Sequence, residues 1–146
     1  MTEAATLEDA ISIAAEAHRG QRDKAGAVYL LHPLRLMLRM DSEAAMMAAV
    51  LHDVVEDSDW TLERLRRRGF AEEVVEAVAC LTHRDGESYE EFVERVKPNP
   101  LARRVKIADL EDNMNVLRIG RLGPKDLERL EKYHRAWRTL KEAERG

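Results

Sequence analysis

The sequence predicts a single all-α domain, and three observations carry that expectation. Apolar residues recur at helical spacing through nearly the whole chain, no alternating strand pattern interrupts them, and turn and cap residues fall where the periodic runs begin and end. At 146 residues the chain has room for one domain of ordinary size with a real core. A composition of 45% apolar and 36% charged residues, with 7 Gly and 4 Pro, excludes a disordered tail, a collagen-like chain and a Gly/Pro-rich sandwich.

The first helix opens on a capping box, Thr6 with Asp9, carries Leu7, Ile11, Ala14, Ala15 and His18 on one stripe, and ends near Arg19-Gly20. Residues 20 to 31 hold two Gly and a charge cluster without periodicity and read as a loop. Pro33 sits where a first helical residue often does, and Asp41-Ser42 starts a helix expected from Glu43 to Val55. A polar turn, Glu56-Asp57-Ser58-Asp59, follows. Thr61 caps a helix that stops at Gly69, with Arg66, Arg67 and Arg68 in its last turn. That basic run reads first as favourable charge at a helix C-terminus and second as a phosphate contact. Further helices are expected from Glu72 to Thr82, from Ser88, boxed with Glu91, to Val96, and from Pro100 to Ile119. The last begins at Pro124, and its seam of Leu127, Leu130, Tyr133, Trp137 and Leu140 closes the bundle or meets a second copy of the chain.

Charge limits the partners. With 24 basic and 28 acidic side chains the net charge is −4, so a surface gripping nucleic acid is not expected and an anionic ligand must meet a local cluster of cations. The single Cys80 cannot form an internal disulfide and reads as a buried thiol, which suits a reducing cytoplasm. The longest apolar-rich stretch, residues 44 to 55, is too short to span a bilayer, and no leader pattern opens the chain, so neither membrane insertion nor secretion is expected.

That same stretch, AAMMAAVLHDVV, is apolar on every side except at His52 and Asp53, and so belongs in the interior. A buried carboxylate needs a cation, and the adjacent imidazole makes a metal ion the simplest candidate. The pair alone admits a second reading, a hydrogen-bonded core histidine beside a capped aspartate. In the helix from Pro100, Lys106, Asp109 and Asn113 fall between two apolar arcs, one of Ile107, Leu110, Met114 and Leu117 and one of Val105 and Val116. Three polar residues on a core-facing stripe make a site hypothesis. His32, at a helix start, caps, packs or ligates; with His52, Asp53 and Asp109 it completes a mixed nitrogen and oxygen shell suited to a divalent transition metal. His18 reads as a packed inner histidine, His83 as a loop residue, His134 as structural, and Tyr29 as a packing aromatic that can also stack on a base.

The stretches AHRGQRDKAGAVYLLHPLRLM, AAVLHDVVED and VKIADLEDN, in this order, resemble the HD-domain phosphohydrolases. More narrowly they are similar to the hydrolase half of the RelA/SpoT proteins and to the small alarmone hydrolases of the metazoan SpoT-homologue type. The resemblance implies an HD-domain helical bundle over residues 1 to 146, with His32, His52, Asp53 and Asp109 binding one Mn²⁺-like ion. It implies that Glu56 and Asp57 orient and activate the attacking water, and that Arg22, Lys24, Lys106 and Asn113 contact a nucleotide. The implied reaction is removal of pyrophosphate from guanosine 3′,5′-bis(diphosphate). A chain of this length has no room for the synthetase and regulatory parts of the long RelA/SpoT proteins, so degradation alone is expected.

The loop departs from the family pattern. Asp23-Lys24 stands where Arg-Lys is common, and Val28-Tyr29 where Pro-Tyr is. A carboxylate in place of a cation is expected to weaken polyphosphate binding. It favours a rival substrate, a nucleotide phosphomonoester such as a deoxynucleoside monophosphate or the 2′-phosphate of NADPH. A non-catalytic nucleotide-binding module, its metal only tying helices together, is the third reading.

Overall fold

The structure is a computed structural model that describes residues 3–146. Its helices are α1 (Leu7–Ala17), α2 (Leu31–Leu38), α3 (Glu43–Leu51), α4 (Val54–Asp57), α5 (Leu62–Arg68), α6 (Glu72–Leu81), α7 (Tyr89–Val96), α8 (Pro100–Asn113) and α9 (Pro124–Arg145), with a 3₁₀ turn at Val116–Arg118. Among the described residues there is no sheet; one isolated bridge, Arg22 with Val28, pinches the loop after α1.

Local chemistry sets most helix starts. Thr6, Ser42, Thr61, Ser88 and Asn99 each accept a backbone N–H of the first turn, and both capping boxes read from the sequence are formed. Each such cap contributes about 1 kcal/mol. At the end of α5 Gly69 adopts φ +109°, and a Cβ there would come within 2.2 Å of the Glu3 carbonyl oxygen. The Gly69 carbonyl in turn accepts the Ala5 N–H at 3.0 Å, which ties the segment before α1 to the α5–α6 corner. The arginine run before it is taken up by surface ion pairs: Arg66 with Glu72, Arg67 with Glu63 and Arg68 with Asp9.

The apolar-all-round stretch is the hub. Helix α3 packs against α1, α2, α6 and α8, and Ala45, Ala48, Ala49, Val50 and Leu51 are fully buried. Around it Leu36, Leu65, Val75, Val78 and Leu110 close the core, each large side chain contributing about 1.5–3 kcal/mol of burial. The C-terminal seam closes the bundle: α9 crosses α7 and α8, Ala136 and Leu140 are buried, and Trp137 Nε1 donates to Glu111 at 2.8 Å. Leu127, assigned to the same seam, is exposed. Cys80 is half-buried rather than buried.

Two helices are shorter than their periodicity predicts. The helix expected from Glu43 to Val55 breaks after Leu51, because the His52 ring nitrogen Nδ1 donates to the Ala49 carbonyl at 2.7 Å and Asp53 leaves the helical region at φ −108°, ψ 2°. Glu56 and Asp57 therefore lie in the short helix α4, not in a turn. The helix expected to reach Ile119 ends at Asn113; Asn115 then accepts the Leu117 N–H and starts the 3₁₀ turn. Leu117, placed by periodicity on a buried arc, is 91% exposed. Pro33 is the third residue of α2, still inside the first turn where its missing N–H costs no helical bond.

Candidate metal centre

The break after α3 and the polar stripe of α8 bring the predicted ligands together. His32 Nε2 lies 2.8 Å from Asp109 Oδ1, and His52 Nε2 lies 3.6 Å from the same oxygen and 3.1 Å from Asp53 Oδ2. One donor atom each of His32, His52 and Asp109 fall within 4.8 Å of one another, and all three residues are buried. Asp53 borders this trio from the side, its carboxylate accepting the Tyr29 hydroxyl.

The cluster fits a divalent cation. With Nδ1 of His52 donating to Ala49, Nε2 faces the cluster, and that buried atom makes no well-aligned hydrogen bond although Asp53 Oδ2 stands 3.1 Å away. A buried polar atom without a partner is costly unless something else meets it. On His32 the division is the same: Nδ1 donates to Asp112 Oδ2 at 2.6 Å, leaving Nε2 toward Asp109. Asp112 is itself gripped by Arg35 through two bonds of 2.8 Å. A carboxylate behind a ligating imidazole holds its tautomer and raises its basicity.

Electrostatics agree with the geometry. Burial lowers the pKa of His52, but Asp53 and Asp109 outweigh it and hold the ring well above its ordinary value. For His32 burial is likewise outweighed, by the bonds to Asp109 and Asp112. Burial pushes the Asp109 carboxyl up, whereas Lys106, His32 and His52 pull it well below the carboxylate range. Asp53, against the same burial penalty, is drawn down by His52 to about 2. The carboxylates thus hold the imidazoles protonated, and a cation would bind by taking the place of the Nε2 protons.

Glu56 and Asp57 diverge. Glu56 accepts the His83 N–H and, with His52, Asp53, His83, Tyr89 and Lys106, lines a cavity of about 240 Å³; its carboxyl is raised by burial. Asp57 faces α1, where His18 Nδ1 donates to Gln21 Oε1 at 2.9 Å and Gln21 Nε2 donates to Asp57 Oδ2 at 3.1 Å. His83, read as a plain loop residue, is therefore part of the site's wall. Its loop is clamped by Arg95, which donates to the carbonyls of Ala79, Cys80 and Thr82 and pairs with Glu87.

On the other side of His32 a larger cavity of about 640 Å³ opens. Arg22, Lys24 and Asn113 line it, as do Tyr29, Arg35, Arg118, Arg121 and Arg129. Lys106 does not: its ammonium sits in the smaller cavity, 2.8 Å from Asp109 Oδ2 and over the Phe92 ring. Asp23 is turned into its own loop, with Oδ1 accepting the Ala25 and Ala27 N–H groups, both at 2.9 Å. Sequence reasoning missed Asp112, Arg35, Gln21 and Arg118. Asp112 had a signal, since it lies three residues after Asp109 and on an adjacent line of the same helix.

Comparison with known proteins places the chain among relatives. Two curated relatives are named guanosine-3′,5′-bis(diphosphate) 3′-pyrophosphohydrolase: that of Aquifex aeolicus is 32% identical over 124 residues, 76% of this chain and 18% of its own length. That of Haemophilus influenzae is 35% identical over 135 residues, 82% of this chain and 20% of its own. A Streptomyces coelicolor protein named GTP pyrophosphokinase is 35% identical over 126 residues, 77% of this chain and 15% of its own. The chain spans a fifth or less of the length of these relatives. A solved structure of a metazoan orthologue of SpoT, described as hydrolysing ppGpp and acting in starvation responses, superposes with a TM-score of 0.75 at 26% identity, covering 100% of this chain and 89% of that one. The family profile described as HD domain matches residues 10–107, a span that takes in His32, His52 and Asp53, and the chain belongs to the HD-domain family.

Proposed function

We propose that this chain is a metal-dependent pyrophosphohydrolase that removes the 3′-pyrophosphate of guanosine 3′,5′-bis(diphosphate). The observation that carries the reading is one of adjacency: a buried nitrogen and oxygen donor cluster stands at the end of a cation-lined cavity large enough for a nucleotide, and His32 belongs to both. His32, His52, Asp53 and Asp109 would hold a Mn²⁺-class ion. When bound, such an ion supplies Lewis acidity toward a phosphoryl oxygen and makes water more acidic. Glu56 takes the water's proton, a task its raised pKa suits, while Asp57, tied to Gln21, holds the start of the substrate loop. Arg22, Lys24 and Asn113 meet the nucleotide in the larger cavity, and Lys106 orients Asp109. In this reading residues 1 to 146 act as a single catalytic domain in the cytoplasm, on a small nucleotide and on no nucleic acid. None of the helices among the described residues is long and apolar enough to cross a membrane.

The test is a panel of phosphate esters assayed with Mn²⁺, Mg²⁺ or chelator, with product analysis. Pyrophosphate released from guanosine 3′,5′-bis(diphosphate), abolished by chelator and by Asp53→Ala, is the expected result. Orthophosphate released only from monoesters would establish the rival substrate class, and Asp53→Ala with full activity would remove the metal assignment. The rival rested on Asp23, and with that carboxylate bonded inside its own loop the feature that favoured it is weakened.

A further inference from the structure

The larger cavity is a place where a stray carboxylate would do most harm to an anionic ligand. Two carboxylates line it, Asp23 and Asp126, and each is paired with an arginine of that wall, Asp23 with Arg118 and Asp126 with Arg129. The first pair joins segments far apart in the chain. Arg118 Nη1 donates to Asp23 Oδ2 at 3.3 Å, and Nη2 donates to the Asp112 carbonyl at 3.0 Å and stands 3.6 Å from Asp112 Oδ2. Asp112 is the carboxylate behind His32, so one guanidinium spans from the loop of residues 20 to 31 to the partner of a candidate ligand. The pair is partly shielded from water, with 31% of the Arg118 side chain and 16% of the Asp23 side chain exposed, so its charges are screened less than those of a surface pair.

We propose that Arg118 is a specificity-determining positioning residue: it neutralises Asp23 and anchors the loop to Asp112, so that the aspartate at position 23 does not face a phosphate-rich nucleotide as an unpaired negative charge. Arg118 comes from another element than Asp23, the 3₁₀ turn after α8. Arg118 acts through Asp23, so its loss exposes a negative charge to the ligand, and removal of that charge restores binding. The ligand's identity rests on the pyrophosphohydrolase reading; the charge pairing does not.

The test is calorimetric titration of inorganic pyrophosphate into the metal-free full chain at low salt. Wild type, Arg118→Ala, Asp23→Asn and the double variant are compared, with melting curves for each. Arg118→Ala is expected to weaken binding about tenfold, the cost of a like charge left facing the anion. Asp23→Asn alone should bind as well as wild type or better, and the double variant should return to within about threefold of it. Should Arg118→Ala fail to fold, Arg118→Gln, which removes the charge and keeps most of the side chain, is expected to show the same loss of about tenfold, restored by Asp23→Asn. Equal binding by all forms, no binding by wild type, or a double variant as weak as Arg118→Ala overturns the proposal. In turnover the same variants should change KM and leave kcat within about twofold, since the interaction is with bound ground-state charge. A chain that shows this pairing pattern yet hydrolyses no guanosine ester sinks the functional reading alone. One that hydrolyses the ester but binds pyrophosphate equally in every form sinks only the role of Arg118.

Discussion

An imidazole can offer Nε2 to a cation only if its proton is kept on Nδ1, and two different acceptors do this here. His52 uses a backbone carbonyl, that of Ala49, whereas His32 uses the Asp112 carboxylate, itself locked by Arg35. Asp112→Asn should therefore weaken metal affinity by roughly 10- to 100-fold, measured by competition with a chelating dye, while the helices remain folded. His32, His52, Asp53 and Asp109 are legible from sequence because each is a polar group in an apolar run or on an apolar stripe, where its burial demands a partner. Arg35 is not, because it does not look out of place on its own helix, and the only signal of Asp112 is its spacing of three residues from Asp109. Their pairing exists only once α2 and α8 face each other. Asp23 shows the opposite failure: its charge is obvious in sequence, and what the sequence hides is that two N–H groups and an arginine already satisfy it.

Helix boundaries follow local bonds that periodicity does not see. The capping boxes at Thr6 and Ser88 are readable because both partners lie within one turn. The break at His52 is not, since it depends on one imidazole choosing a carbonyl of the preceding turn, and α8 ends at Asn113 although its apolar arcs continue in sequence. The end of α6 adds a third case, in which Arg95 from α7 takes the carbonyls of Ala79, Cys80 and Thr82 and holds the loop whose His83 N–H meets Glu56. The bond to Arg95 draws the Glu87 carboxyl down to about 2 from an ordinary 4.5. A depressed carboxyl stabilises the fold above its unfolded value, so this contribution is present above pH 4.5 and is lost as pH falls from there toward 2. Urea unfolding from pH 6 to pH 3 should accordingly show Glu87→Gln less stable than wild type at the upper end and the difference shrinking at the lower. A constant difference across that range would exclude the ion pair as its cause.

Over the whole molecule the charge balance of −4 conceals two regions of opposite sign that almost touch. Carboxylates gather at the donor cluster, and arginines and Lys24 gather in the cavity beside it, with His32 at the boundary. The all-α class and the central place of α3 are legible in sequence, because apolar periodicity is a property of each segment alone, whereas the seam of α9 leaves closing the bundle and meeting a second copy equally open. The division of the site into two cavities is not, because it follows from how those segments are stacked. The partnerless Nε2 of His52 ties this arrangement to folding. An ion bound there binds the native state and not the open chain, and at a concentration 100 times its Kd it adds about 2.7 kcal/mol to stability. Chelation should lower the melting temperature and added Mn²⁺ restore it, in proportion to the logarithm of free metal, even in a Glu56→Gln variant, which lacks the proposed proton acceptor. The hub that carries the chemistry is also the hub of the core, so the chain's lifetime would track the supply of its ion: starved molecules open more often and present more cleavable backbone to any protease nearby.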